Sequence, residues 1–399
     1  MSRIDRLICH VMPRAFLMAL VSDGRLVELQ VARRDKTSRV EGIFLGRLER
    51  VMPELDAAFV DIGIGRSGFL RSADRAGLES WPPPGAPLMV QMRTENEGGD
   101  KGPRLSMVLA VTGRYLVYHP LGAGITFSRR IEGESERDRL AAHVTPLLDG
   151  GIVLRTAAAG VTGPVLQADA AQILERWEKI RKHALDGTPP ADLTARLPGE
   201  RDPVARALRD HGATLDEVIL DDRMMARTLQ DEMDRQQERI RVRWHSGPMP
   251  AFEIDDVSGQ VGTALAERIV LPSGVEVLFE PGETLTAIDV DSAEAGGRQG
   301  RAPRRPVEVN LEAAPAIAQQ LRLRNLAGAV VVDFVTMRSA YDRDKVQAAL
   351  AEALKDDPVP TQIYGFTRLG HFELTRARRG ATLAAQLEAL EKADDAAAR

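Results

Sequence analysis

Short runs of alternating apolar and polar residues fill the start of the chain, and this alternation is typical of β-strands. Residues 7–31 form two apolar runs divided by SDG at 22–24, which predicts a hairpin. GIFLGRLERV, LDAAFVDIG and SGFL follow, and LMVQMR comes after the proline-rich segment 81–87. Glycine and proline between strands of this length predict a small five-stranded β-barrel that ends near Met107.

The middle of the chain mixes both periodicities. YLVYHP and GIVLRT predict strands, whereas residues 169–184 have helical spacing and open on Asp169, a predicted N-cap. Helical patterns dominate residues 202–239. RIRVRWH at 239–245 then returns to alternation, with its arginines on one face, so the pattern predicts an α+β region.

The last third predicts a βαβ unit. TLTAIDV and AGAVVVDFV are typical of strands, and NLEAAPAIAQQLRLRNLAG between them is typical of a helix capped by Asn310. The apolar stripe of this helix consists of Leu311, Ala314, Ala318 and Leu321. A right-handed crossover makes the two strands parallel.

Three aspartates stand out in this unit. Asp289 and Asp291 lie two positions apart and therefore project from the same strand face, and Asp333 ends the second strand. Ligands collect at the carboxyl ends of parallel strands, where all three acids are expected. Carboxylates that act together with substrate phosphates suit Mg²⁺, and Mn²⁺ accepts the same oxygen ligands. The implied chemistry is hydrolysis at phosphorus.

An ordinary structural role is the alternative for these acids, because carboxylates at strand ends are common in proteins without catalysis. In that interpretation Asp289 caps a turn, and Asp333 pairs with an arginine such as Arg322 or Arg324. The strand pattern alone leaves both interpretations open.

A long loop at residues 292–309 separates the acids from the helix. Its arginines suit phosphate oxygens, although a solvated flexible loop is equally compatible with this composition. They are Arg298, Arg301, Arg304 and Arg305.

Composition limits the remaining possibilities. A chain of 399 residues, 44% hydrophobic and 28% charged, is long enough for two to four globular units. The single cysteine, Cys9, excludes an intrachain disulfide framework and fits a reducing compartment, so we expect a cytoplasmic protein. No apolar run predicts a membrane anchor or a signal peptide. The net charge of −5 argues against indiscriminate nucleic-acid binding.

Several blocks resemble the ribonuclease E/G family of bacterial endoribonucleases. ETLTAIDVDS through NLEAAPAIAQQLRLRNLAGAVVVDFVTM resembles the family's catalytic subdomain, and IVLPSGVEVLFE resembles its lead-in. VEGIFLGRLERVMPELDAAFVDIGIGRSGFL resembles the inserted S1 RNA-binding domain. GITFSRRIEGE and GIVLRTAAAGV resemble the region that senses the 5′ end of RNA. The resemblance runs from about Ile4 to about Arg379.

The resemblance implies an α+β multidomain fold. It assigns residues 1–36 and 202–268 to a split RNase H-like subdomain, 37–107 to an S1 (OB-type) β-barrel, 108–201 to the 5′-sensor region and 269–399 to a DNase I-like α/β catalytic subdomain.

The resemblance also implies roles for the acids. Asp289 and Asp333 match the two aspartates that hold the catalytic Mg²⁺. Asp291 falls where the family usually has an asparagine, so its extra charge either strengthens ion binding or raises a neighbour's pKa and shifts the pH optimum upward.

The RNA-binding residues are implied in the same way. Phe59 and Phe69 match aromatics on which a base stacks, and Lys101 matches a lysine near that base. Without the resemblance, both phenylalanines would be interpreted as core residues and Lys101 as an ordinary loop lysine.

The 5′-monophosphate sensor is implied by Arg155 and Thr156, supported by the backbone around Gly113 and Val117. An arginine fork and a threonine hydroxyl suit a terminal phosphate. Without the resemblance, Arg155 would be interpreted as closing a surface strand.

The implied activity is Mg²⁺-dependent endonucleolytic cleavage of single-stranded RNA, with 5′-phosphate and 3′-hydroxyl products, in mRNA decay and rRNA processing. A catalytically impaired RNA-binding regulator and a structural partner in a larger assembly are the alternatives. The zinc-link cysteines of the family's larger members do not follow Arg379. We therefore expect no zinc and a compact, ribonuclease G-like protein whose possible homo-oligomers are not zinc-linked.

Overall fold

The computed structural model describes residues 3–34, 38–95, 102–145, 149–195, 197, 202–235, 239–292, 304–355, 357–378 and 380–398. The chain forms two compact units, one of Met1–Asp35 with Leu215–Arg399 and the other of Lys36–Thr214. The first unit therefore resumes later in the chain than residue 202, where the resemblance places the return of its split subdomain.

The first unit opens with three antiparallel strands, β1 (Arg6–Val11), β2 (Ala15–Ser22) and β3 (Arg25–Arg33). Asp23 and Gly24 join β2 to β3 with φ of 48° and 74°. Positive φ at both positions is the geometry of a two-residue type I′ turn, whose twist matches that of the strands. The predicted hairpin is confirmed.

The second unit begins with a closed barrel. Its strands are β4 (Ile43–Met52), β5 (Ala57–Asp61), β6 (Gly68–Arg71), β7 (Pro87–Thr94) and β8 (Arg104–Ser106). The barrel closes because β4 pairs with both β5 and β7. The predicted five-stranded barrel is confirmed, and closure of five strands is typical of OB-type domains. Its core includes Phe44, Leu48, Val60, Leu70 and Val90.

The rest of the second unit is a small sheet with helices. Its elements are β9 (Val111–Thr112), β10 (Leu116–His119), β11 (Ile125–Phe127), α1 (Glu134–Val144), β12 (Gly151–Leu154), α2 (Gly163–Asp186), β13 (Ala191–Asp192) and α3 (Pro203–His211). Strands β11, β12, β10 and β9 lie in that order. Helix α2 begins at Gly163 and not at the predicted cap Asp169, because Pro164 in its first turn is preorganised for a helix start.

The first unit then continues with β14 (Glu217–Leu220), α4 (Arg223–Arg235), β15 (Arg241–Trp244) and α5 (Val257–Leu265). Strands β14 and β15 run parallel to β1, and the sheet order is β15, β14, β1, β2, β3. This sheet therefore combines strands that precede the second unit in the chain with strands that follow it.

The final sheet positions the predicted acids. Its strands and helices are β16 (Arg268–Val270), β17 (Glu276–Pro281), β18 (Leu285–Asp291), α6 (Pro306–Leu323), β19 (Gly328–Asp333), α7 (Ala340–Leu354), β20 (Thr361–Phe366), β21 (Phe372–Arg376) and α8 (Leu383–Ala398). The strand order is β16, β17, β18, β19, β21, β20. The predicted βαβ unit is confirmed, because β18 and β19 are parallel and α6 connects them.

Alternation along β18 separates a buried face from an open face. Thr286, Ile288 and Val290 are buried, and both apolar residues belong to the same core as Ile317 of α6. The intervening positions, including Asp289, are at least partly exposed. The acids therefore lie on the face that the main core leaves open.

Short 3₁₀ segments occur at Pro53–Leu55, Ser72–Asp74, Thr156–Ala158 and Ala251–Asp256. Cys9 is fully buried in β1. None of the helices in the described part of the chain combines the length and the apolarity that a membrane crossing requires.

Candidate metal centre and binding surfaces

Asp289 and Asp333 are direct partners on neighbouring parallel strands. The register of β18 and β19 pairs their Cα positions at the carboxyl ends of both strands. Because paired positions share a face of the sheet, both carboxylates project to the open side. The structure thus brings together the two acids that the sequence separates by a helix.

Asp291 lies two positions beyond Asp289 on the same face of β18, so the two carboxylates are neighbours on that strand. The pKa of Asp289 is raised, first by partial burial and then by the like charges of Asp291 and Asp333. The nearest described cation to Asp291 is Arg268, whose Nη1 lies 3.8 Å from its carboxylate and also contacts Glu276. Among the described residues, negative charge is therefore concentrated around Asp289.

The described partner of Asp333 is His371, with 3.3 Å between Nδ1 and Oδ1. Arg322 instead binds Glu28 at 2.9 Å, and Arg324 donates to Gln320 at 2.8 Å. The interpretation that Asp333 pairs with Arg322 or Arg324 is therefore wrong, because both arginines are engaged elsewhere. His371 was not predicted as part of the site; the only sequence signal for it is its position immediately before the strand FELTR, β21.

Asn310 supports the segment that follows Asp333. Its side chain is fully buried, with Nδ2 donating to the carbonyl of Val335 at 2.8 Å and Oδ1 accepting from the Val335 amide at 3.0 Å. Asn310 lies inside α6, so its predicted role as the N-cap is wrong. The sequence signal for its contact with Val335 was a polar residue within the apolar stripe of the helix.

Helix α6 begins at Pro306, so the predicted loop ends at Arg305 and not at residue 309. Arg304 forms an ion pair with Glu312 at 2.8 Å, and Arg305 lies 4.0 Å from Asp342. The other two predicted phosphate-binding arginines, Arg298 and Arg301, lie outside the described residues.

The donor chemistry of this cluster fits a divalent cation, because three carboxylates on one sheet face supply the oxygen ligands that Mg²⁺ prefers. The raised pKa of Asp289 points the same way, since a cation would relieve the repulsion that raises it. In the described part of the chain, no three His, Cys, Asp or Glu side chains already form a group that could hold a metal ion. Ion binding therefore requires the carboxylates to turn toward a common point.

Phe59 and Phe69 form the centre of a row on the outer wall of the barrel. They are cross-strand partners on β5 and β6, with ring centroids 5.8 Å apart. Arg50 is opposite Phe59, with its guanidinium 4.8 Å from the ring centroid, and Arg104 is opposite Phe69. Two partly exposed rings thus lie between two exposed arginines.

The row of Phe59 and Phe69 corrects the interpretation of these rings as core residues. Residues of the opposite parity on the same strands, such as Val60 and Leu70, fill the barrel core. Arg50 was not predicted, because it shares the parity of the buried Phe44 and Leu48 on β4. A β-bulge between Leu48 and Arg50 shifts the register and places Arg50 opposite Phe59 on the outer wall. Lys101, predicted beside the same base, lies outside the described residues.

Arg155 follows β12 and contacts two groups of its own unit. Its Nη1 donates to the Gly113 carbonyl at 2.7 Å, and its Nη2 lies 3.3 Å from the carboxylate of Asp210. The backbone amide of Arg155 donates to Tyr115 at 2.9 Å. Arg155 does more than close a strand, because it also contacts Asp210. Nothing in the sequence pointed to Asp210.

Thr156 and Val117 occupy different positions around Arg155. The hydroxyl of Thr156 forms a hydrogen bond of 2.7 Å with that of Ser128. Val117 lies inside β10 between Thr112 and Val153, so its backbone belongs to the sheet ladder. The structure therefore brings Gly113 into contact with Arg155 but gives no described contact between Val117 and Arg155.

Asp169 holds the backbone beside Arg155. Asp169 is 8% exposed, and its carboxylate accepts hydrogen bonds from three backbone amides, those of Arg114 and Tyr115 at 2.9 Å and of Leu116 at 3.0 Å. A Cβ at Gly113 would lie 2.6 Å from this carboxylate, so glycine is required there. An acid within the apolar stripe of α2 was the sequence signal for this role.

Comparison with known proteins finds similarity over the residues that form these sites. The model of the ribonuclease E/G family matches residues 110–379, which include both acids and Arg155. Ribonuclease G of Haemophilus influenzae is 32% identical over 394 residues, covering 93% of this chain and 79% of the relative. The chain belongs to the ribonuclease E/G family.

Other members of the ribonuclease E/G family align over a similar span. Ribonuclease G of Escherichia coli K12 is 33% identical over 394 residues, which are 93% of this chain and 79% of the relative. Ribonuclease E of a Nostoc species is 35% identical over 382 residues, which are 91% of this chain but 54% of that longer relative.

Proposed function

We propose that this protein is an endoribonuclease that cleaves single-stranded RNA by metal-dependent hydrolysis. The observation that carries the proposal is the paired register of Asp289 and Asp333 at the carboxyl ends of β18 and β19. Family membership supports the substrate class, because relatives matched over 93% of the chain are named ribonuclease G.

Asp289 and Asp333, together with Asp291, would hold Mg²⁺, which when bound lowers the pKa of a water and neutralises charge on the phosphate. The chain itself supplies the alignment, because two adjacent strands fix the spacing of the carboxylates and Asn310 holds the segment after Asp333. Attack of water on phosphorus with departure of the 3′ oxygen gives 5′-phosphate and 3′-hydroxyl ends.

The barrel row is proposed to bind the RNA strand. Phe59 and Phe69 offer partly exposed rings to unpaired bases, and Arg50 and Arg104 on either side offer cations to phosphates. Base stacking on aromatic side chains needs bases that are free of a duplex, so this surface favours single-stranded RNA.

The region around Arg155 is proposed to bind a 5′-monophosphate. Gly113 fixes one terminal nitrogen of the guanidinium, while the other faces the carboxylate of Asp210 at 3.3 Å. A terminal phosphate would replace this carboxylate as the anion that Arg155 binds, and the nearby hydroxyl of Thr156 can add a donor.

The subdomain assignment is also a proposal. We assign the sheet of β3, β2, β1, β14 and β15 to an RNase H-like subdomain, supported by its mixture of three antiparallel and two parallel strands. We assign the sheet from β16 to β21 to a DNase I-like catalytic subdomain, supported by family membership and by the acids on its open face.

Cleavage of an end-labelled single-stranded RNA tests this proposal. The RNA is offered with a 5′-monophosphate or a 5′-hydroxyl, with Mg²⁺, with Mn²⁺ or with chelator. Cleavage that requires metal and is faster on the monophosphate is the expected result. RNA binding without cleavage under every metal condition would contradict the proposal and would be the behaviour of a regulator.

A further inference from the structure

His371 extends the row of candidate ligands to a third strand. The antiparallel register of β19 and β21 pairs Val332 with Phe372, so His371 lies opposite Asp333. Because Asp289 is the partner of Asp333 on the other side, the three side chains form one row across β18, β19 and β21. Asp291 lies on the same face beside this row.

The Nδ1 atom of His371 is poorly satisfied in its present position. It lies 3.3 Å from Oδ1 of Asp333, yet it is buried and has no hydrogen-bond partner among the described residues. The His371 side chain as a whole is 40% exposed, so solvent reaches the ring beside this buried nitrogen. Buried polar atoms normally have a partner. A nitrogen that lacks one and lies beside a carboxylate oxygen is well placed to bind the same ion as that oxygen.

The spacing of these two atoms matches adjacent ligands of one ion. An octahedral ion with ligands at about 2.1 Å places neighbouring ligand atoms roughly 3.0 Å apart. The observed 3.3 Å between Nδ1 of His371 and Oδ1 of Asp333 requires only a small movement to reach that value.

We propose that His371 is a further ligand of the cation held by Asp289, Asp333 and Asp291, and that its nitrogen makes this centre favour Mn²⁺ over Mg²⁺. This inference rests on the proposed function, because it concerns the same centre. Mg²⁺ takes oxygen ligands almost exclusively, whereas imidazole nitrogen increases affinity for first-row transition ions. Three carboxylates with one imidazole form a mixed set that Mn²⁺ accepts.

A purely electrostatic role of His371 would leave a different signature. A ring that only holds Asp333 in place would affect Mn²⁺ and Mg²⁺ binding to a similar degree when removed. A ring that ligates the ion would affect Mn²⁺ far more than Mg²⁺, and its nitrogen would couple magnetically to the bound Mn²⁺. Ion selectivity and nitrogen coupling therefore separate the two roles without any measurement of cleavage.

The experiment is pulsed electron paramagnetic resonance of Mn²⁺ bound to the full chain, combined with titrations of Mn²⁺ and Mg²⁺. The variants are His371→Leu, His371→Asn and Asp333→Asn, with His245→Gln as control because His245 binds the Met249 carbonyl instead. We expect ¹⁴N coupling in the wild type and the control, and none in either His371 variant. Mn²⁺ binding by His371→Leu should weaken about tenfold or more, with Mg²⁺ binding changed less than about threefold.

The outcomes distinguish this inference from the proposed function. Mn²⁺ binding through Asp333 without ¹⁴N coupling in the wild type would overturn the role of His371 and leave the metal centre standing. Mn²⁺ and Mg²⁺ binding that Asp333→Asn does not change would overturn the metal centre itself. The wild-type spectrum decides the role of His371 even if a variant fails to fold.

Discussion

Asp289 and Asp333 are paired in register on two parallel strands, although a helix and a long loop separate them in the chain. Their pairing is a direct result of the βαβ crossover, which returns the chain parallel to its first strand. Asp291 adds a third charge two positions along β18. The pKa of Asp289 is raised as a result, by burial and by the charges of Asp291 and Asp333.

Replacing Asp291 with Asn should lower the pKa of Asp289, because one of the two like charges near this carboxyl disappears. A carboxyl whose folded-state pKa is raised takes up a proton on folding, so its stability contribution declines as pH rises through that pKa. Asp291→Asn should therefore raise the free energy of unfolding at neutral pH, and the gain should vanish in acid below both pKa values.

Carboxyl ¹³C NMR titration of the metal-free protein measures the pKa of Asp289 directly, and urea unfolding across pH measures the linked stability. Asp344→Asn, on the exposed surface of α7, is the matched control. An unchanged pKa of Asp289 in Asp291→Asn would contradict the contribution of the Asp291 charge and leave burial and Asp333 as its causes.

Replacing Phe59 or Phe69 with Ala should weaken binding of single-stranded RNA by about 1–3 kcal/mol per lost base contact, or roughly 5- to 150-fold. Both rings lie outside the barrel core, so folding should be little affected. Phe44→Ala is the contrast, because Phe44 is fully buried and its loss should cost about 3–5 kcal/mol of stability. Fluorescence anisotropy with a short labelled RNA measures the affinity, and unchanged affinity in both outer variants would exclude the row as a binding surface.

The sequence predicted the barrel and the βαβ unit because local alternation and strand length determine both. The parity of the strands also placed Asp289 and Asp291 on one face. Parity could not show whether Phe59 projected inward or outward, because barrel closure decides which parity fills the core. The outward, RNA-binding interpretation of Phe59 therefore came from the family resemblance and not from the residue pattern.

Residues that act through long-range contacts were harder to predict. Asp169 and Asn310 both look like caps in the sequence, yet each lies inside a helix and binds the backbone of a distant segment. His371 reaches Asp333 only through the register of β19 and β21. Sequence spacing contains no information on such partners, because tertiary packing brings them together.

Replacing Asp210 with Asn should strengthen the preference for a 5′-monophosphate. The carboxylate lies 3.3 Å from Arg155 and competes with phosphate for the guanidinium, whereas an amide keeps the shape without the charge. Both side chains are partly exposed, so the gain should be modest, roughly two- to fivefold in the ratio of monophosphate to hydroxyl cleavage. Asp186→Asn, at the exposed end of α2, is the control, and a reduced ratio in Asp210→Asn would contradict competition.

Replacing Asn310 with Ala should lower the free energy of unfolding by about 1–3 kcal/mol, since both backbone groups of Val335 lose a buried partner. The segment after Asp333 should then loosen and reduce cleavage more than RNA binding. Gln319→Ala is the control, because Gln319 is exposed on the same helix and its amide points toward Leu26. Urea unfolding and a cleavage assay on both variants measure these effects, and equal losses in both would contradict a specific role for Asn310.

The most direct test of the metal centre is Asp333→Asn in a Mg²⁺-dependent cleavage assay, with RNA affinity measured in parallel and Asp344→Asn as control. Asparagine keeps the size of the side chain and removes the charge that holds the cation. We predict that Asp333→Asn loses cleavage by about a thousandfold or more, as expected when an electrostatic element of catalysis is removed, while it binds RNA like the wild type. Cleavage at the wild-type rate by Asp333→Asn would contradict the assignment of the catalytic site.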